Sequence, residues 1–208
     1  MGVRCLNKFI DAKCRNSITE LPLSSLYSKR IVIDANIYMY RYNENNELIE
    51  NFYHMLLLFK YYNIIPVFVF DGKINTDKIE TINDRNMQKY NAKKEYELML
   101  QNHDPNEKIM KDQRKKFVRV SRNMFEEVKT LIDCMGFSYF EAPCEADEVC
   151  AWLCNTNQVY GCMSEDSDMF VYGCRKVFKN LDFKNKTILM YEYNKIIKEI
   201  NITDNNFK

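Results

Sequence analysis

Histidine is scarce in this sequence, and no two cysteines form a C-x-x-C pair. Only two of the 208 residues are His, and the spacings of the eight Cys match no usual zinc-binding pattern. Cys150 and Cys154 share a helical face, a spacing that is typical of core packing. Because the start of the chain has no secretory signal, we expect reduced thiols.

Long apolar runs are also absent. The longest candidate, residues 52–70, is interrupted by His54, Lys60, Asn63 and Pro66, and no run reaches the ~18 residues that a membrane helix needs. The first residues, MGVRCL, lack the Ser or Thr of a myristoylation motif. With 46% hydrophobic and 28% charged residues, the composition predicts a soluble globular protein with no membrane partner.

The net charge of +1 conceals an uneven distribution. Residues 73–122 contain 13 basic and 8 acidic side chains, so the rest of the chain is net negative. A basic middle segment beside an acidic remainder indicates a polyanionic partner held near a metal site. The alternative is a pair of exposed helices with ordinary solvated charge.

Apolar runs and helical patterns alternate along the chain. Strands are predicted over 30–35, 64–72, 137–140 and 159–163, helices over 36–62, 76–101, 107–135, 143–154 and 191–200, and a hairpin over 176–190. This alternation predicts an α/β fold with a mainly parallel central sheet flanked by helices.

Acidic residues follow the predicted strands. They are Asp34 and Asp71 at two strand ends, Glu145 and Asp147 at the start of the helix after a third strand, and Asp166 and Asp168 after a fourth. Ligands of open parallel sheets bind outside the carboxyl ends of the strands, so these six carboxylates are predicted to share one crevice. Asp166 and Asp168, two apart on an extended chain, are expected to face the same way.

Six carboxylates in one place require cations. Oxygen ligands favour Mg²⁺ or Mn²⁺, and two such ions about 4 Å apart can clamp the attacking and leaving oxygens of a phosphoryl displacement. Each acid has a simpler explanation when taken singly. Turns favour Asp, a D-x-D pair also occurs in sugar-nucleotide transferases, and acids such as Asp147 and Glu148 suit a helix start.

Five segments, in order, resemble the flap endonuclease family of structure-specific 5′ nucleases. They are "MGV", "VIDANIYMYRY", "PVFVFDGK", "FVRVSRNMFEEVKTLIDCMGFSYFEAPCEADE" and "VYGCMSEDSDMFVYG". The resemblance covers nearly the whole chain and implies a PIN-like nuclease core. Residues 1–72 and 117–208 would form this core, and residues 73–116 a helical arch insert through which single-stranded 5′ ends thread.

The resemblance also implies residue roles. The six acids would bind two Mg²⁺ ions, with Mn²⁺ as a substitute, although the family usually has Glu where this chain has Asp147. Lys78 and Arg85, at the base of the arch, would contact the scissile phosphate. Tyr40 would stack on the base beside that phosphate, with core packing as the alternative, and Gly2 would lie close to the active site.

Further basic residues are candidates for phosphate contact without sequence reading, although each could equally lie on a solvated helix face. These nucleic-acid-binding candidates are Arg41, Lys89, Lys93, Lys115, Arg119 and Arg122.

We therefore expect a monomeric Mg²⁺-dependent nuclease that cuts DNA carrying a 5′ flap, gap or nick, in the nucleus, the cytoplasm or a viral replication compartment. By the resemblance, this sequence would stop before the family's last metal-binding Asp, its duplex-binding helix–two-turn–helix and its sliding-clamp motif. Two alternatives stay open, namely a PIN-like ribonuclease and a non-catalytic DNA-binding module.

Overall fold

The computed structural model describes residues 3, 5–72, 79–101, 107–203 and 207 of the chain. Seven strands form one sheet in the order β1-β7-β6-β5-β2-β3-β4. The strands are β1 (Ile18–Pro22), β2 (Arg30–Asp34), β3 (Ile65–Phe70), β4 (Ser138–Glu141), β5 (Gly161–Met163), β6 (Lys176–Asp182) and β7 (Thr187–Glu192). The sheet runs through the middle of the molecule, so its strand ends define two opposite edges.

The central strands are parallel, as the alternation predicts. β5, β2, β3 and β4 pair in parallel, as do β5 and β6, whereas β7 pairs antiparallel with both β6 and β1. The predicted hairpin over 176–190 is therefore confirmed as β6 and β7. Because β2, β3 and β5 run in the same direction, the residues that follow them gather at one edge of the sheet.

Helices cover both faces of the sheet. They are α1 (Leu6–Lys13), α2 (Ala35–Asn43), α3 (Leu48–Tyr61), α4 (Ile79–Gln101), α5 (Glu107–Lys115), α6 (Arg122–Cys134), α7 (Ala146–Asn155), α8 (Asp168–Val171) and α9 (Tyr193–Ile200). Alternate residues of β2 point to opposite faces. Ile31 and Ile33 join the core formed with α2, α3 and α6, and Val32 joins the core formed with α1, α7 and α9.

Two predicted helices are each divided in two. The helix predicted over 36–62 stops at Asn43 and resumes at Leu48, with Asn46 in a left-handed conformation at φ 62°. The helix predicted over 107–135 stops at Lys115, and α6 begins after Ser121, whose side chain accepts a hydrogen bond from the Met124 N–H. The N-terminal α1 and β1 were not predicted from the sequence.

The eight cysteines are free thiols, as expected for a reduced chain. Cys150 and Cys154 lie on α7 and are both buried in the core, which fits the packing interpretation of their spacing. Across the described residues, no helix combines the length and hydrophobicity needed to cross a membrane.

Candidate active site

Asp34 lies at the carboxyl end of β2, where the strand passes directly into α2. One carboxylate oxygen accepts a hydrogen bond from the Ile37 N–H (3.3 Å), so Asp34 caps α2. The other accepts from the Ser164 hydroxyl, 3.1 Å away beyond the end of β5. The side chain is only 5% exposed, so it is held firmly at the sheet edge.

Asp71 follows β3 and lies at the same edge. Its Oδ1 accepts from the Ala146 N–H at the start of α7 (2.8 Å), and its Oδ2 accepts from the Asn36 amide. Gly72 makes this arrangement possible, because a Cβ there would lie 1.7 Å from the carbonyl oxygen of Ala142. The lack of a side chain at Gly72 thus lets the end of β3 lie close to the backbone of residues 142–143, which follow β4.

Asp147 projects from the first turn of α7 towards Asp34. The two carboxyl groups lie within hydrogen-bonding reach of each other. Burial, followed by repulsion from Asp34 and Asp166, raises the pKa of Asp147. Burial, followed by repulsion from Asp71, likewise raises the pKa of Asp34. Glu145 is the N-cap residue of α7 and is half-buried.

Asp166 and Asp168 are held by a relay of hydrogen bonds. The Ser164 hydroxyl accepts from the Asp166 N–H (3.2 Å), Asp166 Oδ1 accepts from the Asp168 N–H (3.1 Å), and Asp168 Oδ1 accepts from the Val3 N–H (2.9 Å). The prediction of an extended chain is wrong here, because Ser167 has helical angles and Asp168 begins α8. The compact turn lets the Asp166 carboxylate cap the Asp168 N–H, whereas the Asp168 carboxylate caps the N–H of Val3, which is distant in sequence.

These acids fit a hard cation by their chemistry. Asp147 Oδ1 is buried and has no hydrogen-bond partner, although it lies beside other carboxylates. A buried oxygen of this kind is costly without a partner, and Mg²⁺ or Mn²⁺ prefers oxygen donors. Within the described ranges, however, no group of three or more His, Cys, Asp or Glu side chains is already assembled at metal-binding distances.

Tyr40 lies beside the acids and is exposed. The residue is 40% accessible, whereas Tyr38 and Tyr42 on the same helix are buried at 1% and 8%. The core-packing alternative is therefore wrong for Tyr40. The Nζ of Lys89, from α4, lies 5.1 Å from the ring centroid. Partial burial, followed by the charge of Asp71, raises the pKa of Tyr40.

Arg41 pairs with an acid that the sequence did not single out as functional. Its guanidinium forms an ion pair with Glu165, and the Arg41 side chain remains 45% exposed. The only signal for Glu165 in the sequence is its place inside the run SEDSD, where it looks like one more carboxylate.

The other basic candidates pair with acids outside the cluster or are exposed. Lys93 pairs with Glu97 and Lys115 pairs with Glu44, each at 3.7 Å, while Arg119 and Arg122 are exposed on the surface. Their role in nucleic-acid binding stays a prediction.

Three predicted site residues, or their side chains, lie outside the part of the chain that the structure describes. Gly2 and Lys78 lie outside the described residues, and Arg85 belongs to α4 but its side chain lies outside the described part. Val3, the neighbour of Gly2, contacts Asp168.

Comparison with known proteins identifies the fold. Residues 1–92 match the XPG N-terminal domain and residues 136–208 the XPG I-region. Flap endonuclease 1 of Candida tropicalis is 32% identical over 88% of this chain and 53% of its own length. The catalytic core of Rad2 in complex with DNA substrate is 28% identical, with a TM-score of 0.70 over 96% of this chain and 58% of that one. The Holliday junction-resolving enzyme GEN1, solved with product DNA, Mg²⁺ and Mn²⁺, shares the fold at 20% identity, with a TM-score of 0.60 over 95% of this chain and 42% of its own.

The α/β sheet with its flanking helices is the fold of 5′ nuclease structures. The chain belongs to the flap endonuclease family. It spans about half of the length of the curated relatives that it matches, 53% for the Candida protein.

Proposed function

We propose that this chain forms the nuclease core of a 5′ flap endonuclease-type enzyme. The enzyme hydrolyses a DNA phosphodiester near a junction of single and double strands, using two divalent ions. The observation that carries the proposal is the gathering of Asp34, Asp71, Asp147 and Asp166 at one sheet edge, with an unpartnered oxygen on Asp147. The catalytic core of Rad2, 28% identical and solved in complex with DNA substrate, supports DNA as the substrate class. GEN1, which shares the fold, was solved with Mg²⁺ and Mn²⁺.

The six acids named from the sequence would hold the ions, which activate a water and stabilise the leaving oxygen when bound. The chain's own residues do the positioning. Tyr40 offers an exposed ring on which a base beside the cut can stack, and Lys89 lies against that ring. Lys78 and Arg85 are proposed to contact the scissile phosphate from the arch.

The arch proposal divides the chain into a core of residues 1–72 and 117–208 and an insert of residues 73–116. The contact between Lys89 and Tyr40 supports it, because it brings α4 over the sheet edge that carries the acids. The same contact favours a flap endonuclease over a PIN-like ribonuclease, in which such an insert is not expected. We expect the protein to act on intracellular DNA, in the nucleus or the cytoplasm.

The test is cleavage of an end-labelled 5′-flap DNA with Mg²⁺ or with chelator. We expect metal-dependent cuts at the junction and no cutting of single-stranded RNA. Asp168→Asn should abolish cleavage and leave DNA binding measurable, whereas Asp133→Asn, on the exposed face of α6, should cleave normally. Cleavage by Asp168→Asn at the wild-type rate would remove the metal-site assignment. Cutting of RNA instead of DNA would favour the ribonuclease.

A further inference from the structure

We propose that Glu165 is a positioning residue that fixes the loop carrying Asp166 and Asp168. In this proposal it binds no metal itself. The loop, residues 164–168, turns sharply between β5 and α8. Glu165 lies between Ser164, which binds Asp34, and the two acids that face the crevice. The inference rests on the proposed function, because it assigns the loop to a metal site.

The Glu165 carboxylate is turned away from the other acids. Its Oε1 accepts a hydrogen bond from the backbone N–H of Asn180 (2.9 Å) and one from the buried Tyr38 hydroxyl (3.3 Å). The same oxygen forms the ion pair with Arg41, and the Glu165 side chain is only 17% exposed. These donors belong to α2 and β6, so the side chain joins two elements on either side of the loop.

The Glu165 carbonyl is held as well. It accepts from Lys179 Nζ and from the Asn7 side-chain amide, each at 3.2 Å. Lys179 also donates to Asn7 Oδ1 at 2.6 Å, so the three groups form a closed triangle. The anchor therefore includes α1, an element far from the loop in sequence.

Lys179 is an unusual anchor because it lies in the interior. It is 3% exposed, and its ammonium lies over the rings of Phe170 (4.9 Å) and Tyr191 (5.7 Å). Burial lowers its pKa to about 8, although nearby Glu165 and Asp166 counteract the effect. A buried lysine costs free energy unless it is well paired. Its pairing with the loop carbonyl explains why this cost is tolerated.

The acids of the run SEDSD therefore have different roles in this proposal, because Glu165 anchors the loop and Asp166 and Asp168 face the crevice. Two cations and three neutral donors hold Glu165. Asp166 and Asp168 keep their positions through the turn that Glu165 anchors. Residues that orient metal ligands typically change metal affinity by about 10–100-fold when they are mutated.

The experiment compares Glu165→Ala and Glu165→Gln with the wild type and with Glu127→Gln, a charge-matched control on the exposed surface of α6. The first readout is amide hydrogen exchange without metal, for a peptide covering residues 164–168. The second is the Mn²⁺ concentration that gives half of the maximal thermal stabilisation. Neither readout depends on nuclease activity.

We expect faster exchange of the loop in Glu165→Ala and unchanged exchange of β2. We also expect about tenfold more Mn²⁺ for half-maximal stabilisation, with Glu165→Gln closer to the wild type because it keeps an acceptor oxygen. Wild-type values for both readouts in Glu165→Ala would overturn the inference. If Mn²⁺ does not stabilise even the wild type, the metal proposal fails instead, so the two failures are distinguishable.

If Glu165→Ala does not fold, Arg41→Met is the variant that tests whether Glu165 anchors the loop. Arg41 is nearly half exposed, so its replacement removes the ion pair with little loss of packing. Faster loop exchange and weaker Mn²⁺ stabilisation in this variant would support the anchoring role. Wild-type exchange and Mn²⁺ response would refute it.

Discussion

Gly72 provides the sharpest test of how the fold builds the site. A Cβ added at Gly72 would lie 1.7 Å from the carbonyl oxygen of Ala142 and 2.9 Å from its carbonyl carbon. The obstacle is backbone, so no side chain can rotate away. To reach even a 3.0 Å contact, the two segments must separate by about 1.3 Å.

Such a separation breaks specific hydrogen bonds. The Gly72 N–H donates to the Cys144 carbonyl (2.7 Å), and Asp71 Oδ1 accepts from the Ala146 N–H (2.8 Å). We expect Gly72→Ala to lower the free energy of unfolding by about 2–4 kcal/mol, from overpacking plus the loss of a hydrogen bond. Because Asp71 moves with the chain, we also expect about a hundredfold loss of flap cleavage in the fraction that folds.

Gly136 is the matched control, since an added Cβ meets no neighbouring atom there and only the backbone conformation opposes it. It has φ +78°, and a Cβ there would meet nothing within 4 Å. Gly136→Ala should therefore cost only about 1 kcal/mol of backbone strain and leave cleavage unchanged. The measurements are urea unfolding followed by fluorescence and cleavage of the labelled flap. If Gly136→Ala is the more damaging of the two variants, the close-approach argument is wrong.

Three further predictions follow from individual contacts. Ser164→Ala removes the hydroxyl shared by Asp34 and the loop, and urea unfolding should show a loss of about 1–2 kcal/mol, whereas an unchanged midpoint would contradict the relay. Tyr40→Ala should reduce flap cleavage by about tenfold, Tyr40→Phe should retain it because the ring does the stacking, and equal losses would argue against stacking. The pKa of Lys179 is lower in the folded state (about 8) than its ordinary value of 10.5. Between these two pH values, the unfolded state therefore binds more protons than the folded state does. The free energy of unfolding should therefore rise between pH 8 and 10.5 by up to about 3 kcal/mol relative to Lys179→Met, and parallel pH profiles would contradict this.

The positions of Asp34 and Asp71 at the strand ends could be predicted from the sequence because a simple geometric rule governs them. A short apolar run that ends in Asp, as at Asp34 and Asp71, indicates a buried parallel strand. Parallel neighbours then bring their carboxyl ends to one edge. The rule needs no information about side-chain packing, which is why it worked for residues far apart in the chain.

The helix breaks could not be predicted in the same way. Residues 43–47 are all polar, and the prediction continued the helix through them because Asn and Glu also occur on the solvated face of a helix. The break depends on Asn46 in a left-handed conformation, which Asn tolerates but does not require. β1 was missed because it is an edge strand whose register depends on β7, almost 170 residues away in sequence.

Glu165 shows the limit of pattern reasoning most clearly. In the sequence it is one of three carboxylates in SEDSD, and nothing in the run distinguishes its role from that of Asp166 or Asp168. Only the structure shows that Arg41 pairs with the Glu165 carboxylate and that Lys179 donates to the Glu165 carbonyl. The distinction lies in tertiary contacts with α1, α2 and β6, none of which the local sequence encodes.

The arrangement of cations also explains how an acidic crevice can remain available to a metal. Repulsion raises the pKa of Asp34 and of Asp147, so the clustered acids destabilise the folded state when no cation is bound. A lysine or arginine placed among them would relieve that repulsion but would also compete with a metal ion. Here Arg41 and Lys179 contact Glu165, one residue behind the crevice. The loop is thereby stabilised by protein cations, while the repulsion between the acids that face the crevice is left for a divalent ion to relieve.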